Sequence, residues 1–259
     1  MLHKNIPASI IHEVFSLFLL SKLNTKQIYN KLLTHVKNCI SYNIVCAILD
    51  NIRNCIANFL KHQYRLKQIG GALEKHKIIA VDESLILHDN KNAMIWLVGA
   101  IDTETKELRL DIIKERNSTN LKIFINNHVE SGTYIVHDGW RAYSFLDGED
   151  SVYTHKTFNH RAGNFGQGNY STSHIEGIWA WIKSEIKFIY QIIPHTHFIL
   201  YIREMEYRFI ISKLNNNQKE KNFENLLINV CGLNNFNFYD EEELLNFNNY
   251  NYLIKLFIK

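Results

Sequence analysis

The 259-residue chain has only two prolines, Pro7 and Pro194, and no proline-rich stretch. Helices and inner strands, which proline interrupts, are therefore free to form along nearly its whole length. Its four cysteines, Cys39, Cys46, Cys55 and Cys231, include no Cys-x-x-Cys pair. That spacing argues against a zinc ribbon, and so few thiols in a chain this long argue against a disulfide framework. They read as small buried residues of a reduced intracellular protein. The apolar stretch Val14 to Leu20 is too short to span a bilayer and is stopped by Ser21 and Lys22. The N-terminus lacks the basic, apolar and small-residue order of a signal peptide. A soluble protein with no membrane partner is expected. No internal repeat occurs. The net charge is only +3, which permits nucleic-acid binding without arguing for it, because such affinity needs clustered cations.

Hydrophobic residues make up 46% of the chain, enough to predict a sizeable core. Residues 1–70 carry helical periodicity and no strand pattern. Ile10 to Leu20 forms one helix. Asn24 or Thr25 caps a second, carrying Ile28, Leu32 and Leu33. After a turn at Cys39 to Asn43, Ser41 caps a third, carrying Ile44, Val45, Ile48, Leu49, Ile52 and Ile56. A short helix, a turn and a longer helix exposing Asn51, Arg53, Asn54 and Lys61 is compatible with a DNA-binding helix-turn-helix. The same pattern serves equally as a packing unit. Tyr64 to Lys75, with Gly70 and Gly71, is the expected linker.

From Ile78 the period shortens. Ile78 to Asp82 reads as a buried strand ending at Asp82 and Glu83. Met94 to Ile101 and Leu108 to Ile113 follow as a meander. Ser118 and Thr119 cap a helix that ends by Gly132. Thr133 to Asp138 is a fourth strand, also ending in an aspartate, and Gly139 turns the chain. A short helix over Ala142 to Leu146 precedes a fifth strand at Tyr153 to Phe158. The order predicts a mixed sheet with helices on its faces. A helix from about His197 to Leu214 comes after a break at Pro194. The Asn-rich segment 215–259, with its acidic run Asp240 to Glu243, has no assigned role.

Between them lies the stretch Ser171 to Lys187, an amphipathic helix whose apolar face carries Ile175, Ile178, Trp179, Ile182 and Ile186. Glu176 stands three residues after Ser173, the spacing of a capping box. If the strands ending in Asp82 and Asp138 are neighbours, their carboxylates emerge together, and this helix can bring Glu176 to the same point. Three carboxylates form an oxygen-only cage suited to Mg²⁺ or Mn²⁺. Two such ions can drive phosphodiester chemistry. As plain structure, Glu176 is a helix cap and the aspartates are strand ends.

Several motifs, in order, resemble one family. They are Val81-Asp82-Glu83-Ser84, Trp96 to Ile101, His137-Asp138-Gly139-Trp140-Arg141-Ala142-Tyr143, Asn159-His160 with Phe165, and Ser173-His174-Ile175-Glu176-Gly177-Ile178-Trp179 with Lys183. Tyr201, Glu204 and Arg208 complete the set. The stretch from Ile78 to about Arg208 resembles the catalytic domain of DDE transposases of the ISXO-type insertion-sequence group and the related Merlin transposases. The resemblance implies an RNase H-like fold: a mixed five-stranded sheet flanked by helices, here preceded by a small all-helical, helix-turn-helix-like domain. With the helical region and the tail read above, the domains expected are 1–70 (helical, a candidate for DNA binding), 76–214 (catalytic) and 215–259 (tail). The resemblance also implies metal-dependent DNA cleavage and strand transfer at element ends, with Asp82, Asp138 and Glu176 as catalytic and metal-binding residues and Mg²⁺ or Mn²⁺ as cofactor. His160, Lys183 and Lys187 are candidates for nucleic-acid contact, against an ordinary loop histidine and a solvated helix face. Trp140 and Trp179 read as core. Ser173 stands where many insertion-sequence members carry Asn, which leaves Glu176 to fill the third place and fits the Merlin-like branch. The expected partners are element and target DNA and further copies of the chain, with no small-molecule substrate. The expected compartment is the nucleus in a eukaryote, otherwise the cytoplasm or nucleoid. Two other readings share these residues: a domesticated or decayed copy that binds DNA without cutting, and an RNase H-like nuclease.

Overall fold

The computed structural model describes residues 6, 8–20, 23–35, 40–71, 77–87, 94–158, 170–191, 193, 197–215, 217–219, 221, 222, 225 and 226. His160, Asn159, Phe165, Pro194 and the tail from Leu227 lie outside the described residues. The chain divides into two compact units, one of residues 1–59 with 211–259 and one of residues 60–210.

The described residues of the first unit are mainly helical. Helices α1 (Ala8–Leu20) and α2 (Thr25–His35) pack together and are followed by α3 (Tyr42–Leu66). Buried Val14, Phe15 and Phe18 on α1, Ile28 and Leu32 on α2, and Val45, Ile48, Leu49, Ile52 and Ile56 on α3 follow the helical period. Asn24 caps α2 reciprocally: its Oδ1 accepts from Gln27 N–H and its own N–H donates to Gln27 Oε1. Arg53 departs from expectation. It is 4% exposed, lies over the Phe18 ring and pairs with Asp50. Its alkyl stem fills the helix contact, so it is not available on the α3 surface for DNA. The expected linker also differs, because α3 continues to Leu66 and Ile69 bridges to Val129.

The second unit is built on five strands: β1 (Ile78–Leu87), β2 (Met94–Asp102), β3 (Leu108–Ile113), β4 (Tyr134–His137) and β5 (Thr154–Thr157), in the order β3-β2-β1-β4-β5. β1, β2 and β3 form the antiparallel meander, while β4 and β5 run parallel to β1. This is the RNase H-like mixed sheet the resemblance implies. Helix α4 (Ser118–His128) makes the crossover from β3 to β4 and covers one face, where Val81, Val98 and Ile135 meet Leu121, Phe124 and Ile125. Its cap is Asn117, whose Oδ1 accepts from Asn120 N–H, rather than Ser118 or Thr119. Helices α5 (Ser173–Glu185) and α6 (Phe198–Ser212) cover the other face, where Ala80, Leu97 and Val136 meet Ile175, Ile178, Trp179 and Ile202. The outer edge of β3 is closed by α6: Glu206 accepts from Leu110 N–H at 2.9 Å, and Arg203 donates to Leu110 C=O. Buried side chains thus satisfy an edge that would otherwise be open.

β1 is longer than expected. The sequence reads the strand as ending at Asp82 and Glu83, yet Glu83 and Ser84 are buried and β1 stays paired with β2 as far as Leu87 opposite Met94. Asp82 is therefore inside a strand. Its register partner on β2 is Gly99. An added Cβ on Gly99 would lie 2.8 Å from Trp179 Cη2, 2.9 Å from Ile175 Cδ1 and 3.0 Å from Leu110 Cδ2. The missing side chain lets α5 sit directly on the sheet. Gly99→Ala should therefore lower stability by about 1–3 kcal/mol through overpacking. In urea denaturation the midpoint should fall with an unchanged slope; wild-type stability would mean that α5 does not lie against Gly99.

Candidate active site

Parallel pairing of β1 with β4 runs from Ile78 opposite Tyr134 to Ala80 opposite Val136. β4 ends at His137 while β1 continues. Asp82 and Asp138 each lie two residues past that last bridge, at the notch where β4 stops, and the Asp138 charge acts on Asp82. Alternation puts Asp82 on the face of Ala80 and Ile78, which is the face that α5 covers. There Trp179 Nε1–H donates to Asp82 Oδ2 at 2.9 Å.

Asp138 sits in a turn with a glycine requirement. Gly139 has φ +78, a region L side chains rarely adopt. Asp138 Oδ1 accepts from Trp140 N–H at 2.9 Å, and Gly139 N–H donates to His137 Nδ1 at 3.2 Å. Since His137 Nδ1 accepts, its proton lies on Nε2, which faces His155 Nδ1 at 3.0 Å, and His155 Nε2 faces Asp147 at 3.1 Å. Burial first, and His155 second, hold His137 down at about 4, so the ring stays neutral.

Glu176 lies on an exposed position in the first turn of α5. The capping-box expectation is not met. The N-cap is Thr172, which makes no side-chain cap, and Thr172 Oγ1 donates instead to Glu176 Oε1 at 2.9 Å. Ser173 N–H is taken by Ser171 Oγ at 3.1 Å. Glu176 is thus held by a hydroxyl one turn earlier, and the first-turn position favours its charge.

Asp82 senses the other two acids. Asp82 is pushed up to about 6, chiefly by burial and further by the charges of Asp138 and Glu176, against the opposing Trp179 and Glu83 N–H hydrogen bonds. Among the described residues no group of three or more His, Cys, Asp or Glu is gathered closely enough to hold a metal ion by itself. The donor chemistry nonetheless fits a hard divalent cation. All the donors are carboxylate oxygens, and Mg²⁺ is commonly held by one or two carboxylates, with waters and substrate phosphates completing its shell.

Two groups that the motifs alone do not single out complete the site. Glu83 points to the α4 face with its side chain fully buried, and burial pushes it up to about 7 while Arg116 opposes. Its only signal in the sequence is its place directly after Asp82. Arg116 lies 3.5 Å from Glu83 Oε2 and 3.7 Å from Asp138 Oδ2. Nothing in its local sequence marks it. Trp179 is core, as expected, and also a donor to Asp82. Trp140 is half-buried and stacks on Arg116. Glu204 and Arg208 form a buried pair at 2.8 Å within α6, a packing role.

A model of the ISXO2-like transposase domain matches residues 67–209, more than half of the chain. The chain belongs to that family. No curated protein matches it. Solved structures similar to the chain include the following two. The simian T-cell lymphotropic virus intasome in complex with the PP2A regulatory subunit B56 gamma has 14% identity and a TM-score of 0.38, over 78% of this chain and 69% of that one. The HTLV-2 integrase catalytic core domain in complex with magnesium, in its dimeric form, has 17% identity and a TM-score of 0.26, over 37% of this chain and 68% of that one.

In this transposase domain, Lys183 on α5 and Lys187 on the π-turn that follows (Ile186–Tyr190) are exposed. At helical spacing Lys183 shares the exposed side with Glu176, Gly177 and Ala180. Lys187 lies over the Phe188 ring at 5.1 Å.

The raised Asp82 value has a signed consequence. The folded protein holds this proton more tightly than the unfolded chain, so the contribution is present below about pH 4 and is lost as pH rises through about 6. In chelator, Asp82→Asn should exceed wild-type stability near pH 7 by on the order of 1 kcal/mol. Denaturation at pH 4.5 and pH 7.5 should show that gap widening with pH; a pH-independent gap would remove the electrostatic account.

Proposed function

We propose that this chain is a DNA transposase that cuts and joins DNA at the ends of a mobile element with Mg²⁺ or Mn²⁺ as cofactor. Asp82, Asp138 and Glu176 are its catalytic and metal-binding carboxylates. The observation that supports the reading is the β1–β4 pairing, whose last bridge, Ala80 opposite Val136, is followed by Asp82 and Asp138 at one end of the sheet, where Trp179 of the helix that bears Glu176 donates to Asp82. Family membership supports the reaction class.

Each acid has one oxygen anchored by a neighbouring donor. Trp179 Nε1–H fixes Asp82, Trp140 N–H fixes Asp138 and the Thr172 hydroxyl fixes Glu176. Such anchoring orients the carboxylates before substrate arrives and reduces reorganisation during the reaction. A bound divalent cation would supply Lewis-acid stabilisation of the attacking and leaving phosphate oxygens. Burial of Asp82 disfavours three ionised acids without a compensating cation, which couples metal uptake to their ionisation. Lys183 and Lys187 offer charge to the DNA backbone along the exposed side of α5. The protein works as an oligomer, so that two element ends are handled together.

The test is cleavage and strand transfer by the full chain, with Mg²⁺ or Mn²⁺, on duplexes carrying the terminal sequences that flank its gene. Asp138→Asn should reduce the rate about a hundredfold or more while leaving DNA binding intact. Activity that survives the substitution would remove Asp138 from the triad. DNA binding without cutting by the unsubstituted chain would favour the decayed-copy reading, and preference for RNA–DNA hybrids would favour the nuclease reading.

A further inference from the structure

Arg116 lies in the turn before α4, and four groups define its place. Its guanidinium carbon is 3.8 Å from the Trp140 ring centroid and 5.3 Å from that of Trp96. Its Nη2 is 3.5 Å from Glu83 Oε2 and 3.7 Å from Asp138 Oδ2. Its Nε is buried and has no hydrogen-bond acceptor among the described residues. The Nη2 amino group therefore lies between two carboxylates, that of Glu83 on β1 and that of Asp138 just past the end of β4. The Glu83 side chain is fully buried, whereas those of Arg116 and Asp138 are 28% and 36% exposed.

The two ion pairs are unequal. Asp138 can exchange its share of Arg116 for water or for another cation at little cost, as exposed pairs generally do. Glu83 cannot, because loss of its partner would leave a buried charge uncompensated. The tryptophans reinforce this asymmetry: a planar guanidinium close over the Trp140 ring, with Trp96 also within cation–π range, keeps its place by stacking in a way that an ammonium would not. Arg116 is thus anchored on the Glu83 side and loosely applied on the Asp138 side.

We propose that Arg116 is a positioning residue that serves as an internal counter-cation for Asp138. It holds the Asp138 carboxylate at the notch when no divalent cation is bound, and it yields that oxygen, retaining Glu83, when one binds. The inference rests on the reading of Asp82 and Asp138 as a cation site. The family match carries no role for Arg116, and the assignment follows from its four contacts alone. The guanidinium and a divalent cation would compete for the Asp138 carboxylate.

The test is Mn²⁺ binding to the full chain without DNA, followed by calorimetry, with circular dichroism to verify folding. Arg116→Met removes the competitor and should bind Mn²⁺ about two- to fivefold more tightly than wild type, while melting lower in chelator. Arg116→Lys keeps the charge but loses the stacking that holds it in place, and its affinity should fall between those of wild type and Arg116→Met. A purely structural arginine would lower the melting temperature without tightening the metal. Unchanged or weaker affinity in folded Arg116→Met overturns the inference. If that variant does not fold, the unsubstituted protein decides: with ¹⁵N-labelled arginine, the Arg116 Nε–H resonance should shift when Mg²⁺ is added, and an unmoved resonance overturns the inference. Absence of Mn²⁺ binding by wild type removes the cation reading of the acids, and Arg116's role with it. Wild-type binding that is indifferent to Arg116 removes only the latter.

Discussion

The hydrogen bond from Trp179 Nε1–H to Asp82 Oδ2 joins the two halves of this site, and it depends on an absence. Gly99, paired with Asp82 across β1 and β2, leaves the space that the Trp179 ring and Ile175 enter. Any side chain there would lift α5 from the sheet. The same helix carries Glu176, so one glycine on β2 sets the height of the third acid above the first. Ile175, Ile178, Trp179 and Ile182 hold the helix down by burial, and the indole places its polar atom on the carboxylate, as buried tryptophans usually find a partner.

Around that contact the unit manages charge by graded burial. Glu83 is sealed on the α4 face, Asp82 is half-buried on the α5 face, and Asp138 and Glu176 reach solvent. Alternation along β1 sends adjacent acids to opposite faces of the sheet. Burial therefore raises both, while Arg116 lies against Glu83 and Asp138 but not against Asp82. At the far edge, Glu206 and Arg203 satisfy the backbone of β3, and Glu204 accepts from Tyr190 and Arg208. The buried charges of α6 serve architecture, whereas those of β1 serve the notch.

Much of this is legible in residue order. The shift of period at Ile78, the aspartates at 82 and 138 and the polar residues before Glu176 are visible because short-range sterics and burial leave a period in the sequence. Arg53 reads wrongly as a surface cation, because a long charged side chain on a helix looks exposed unless its stem is seen to pack. The end of β1 reads too early because Glu83 and Ser84 are polar yet buried, and only pairing with β2 shows that the strand continues. Arg116 leaves no local signal: both of its acidic partners are distant in sequence, and no periodicity reports a contact across a crossover.

The sequence by itself determined the elements, their order and the three acids that the chemistry would need, since these follow from local pattern and motif. Tertiary structure alone decided that Asp82 stands inside a strand, and that β4 stops just before Asp138, two residues past its last bridge to β1. It also decided that Glu176 is held by Thr172 rather than capping its helix, and that one arginine lies between an acid on β1 and the acid that follows β4. The physical reason is range. Helix and strand formation are set within a few residues, whereas register, burial and shared charge depend on chain segments that meet only when the sheet has formed.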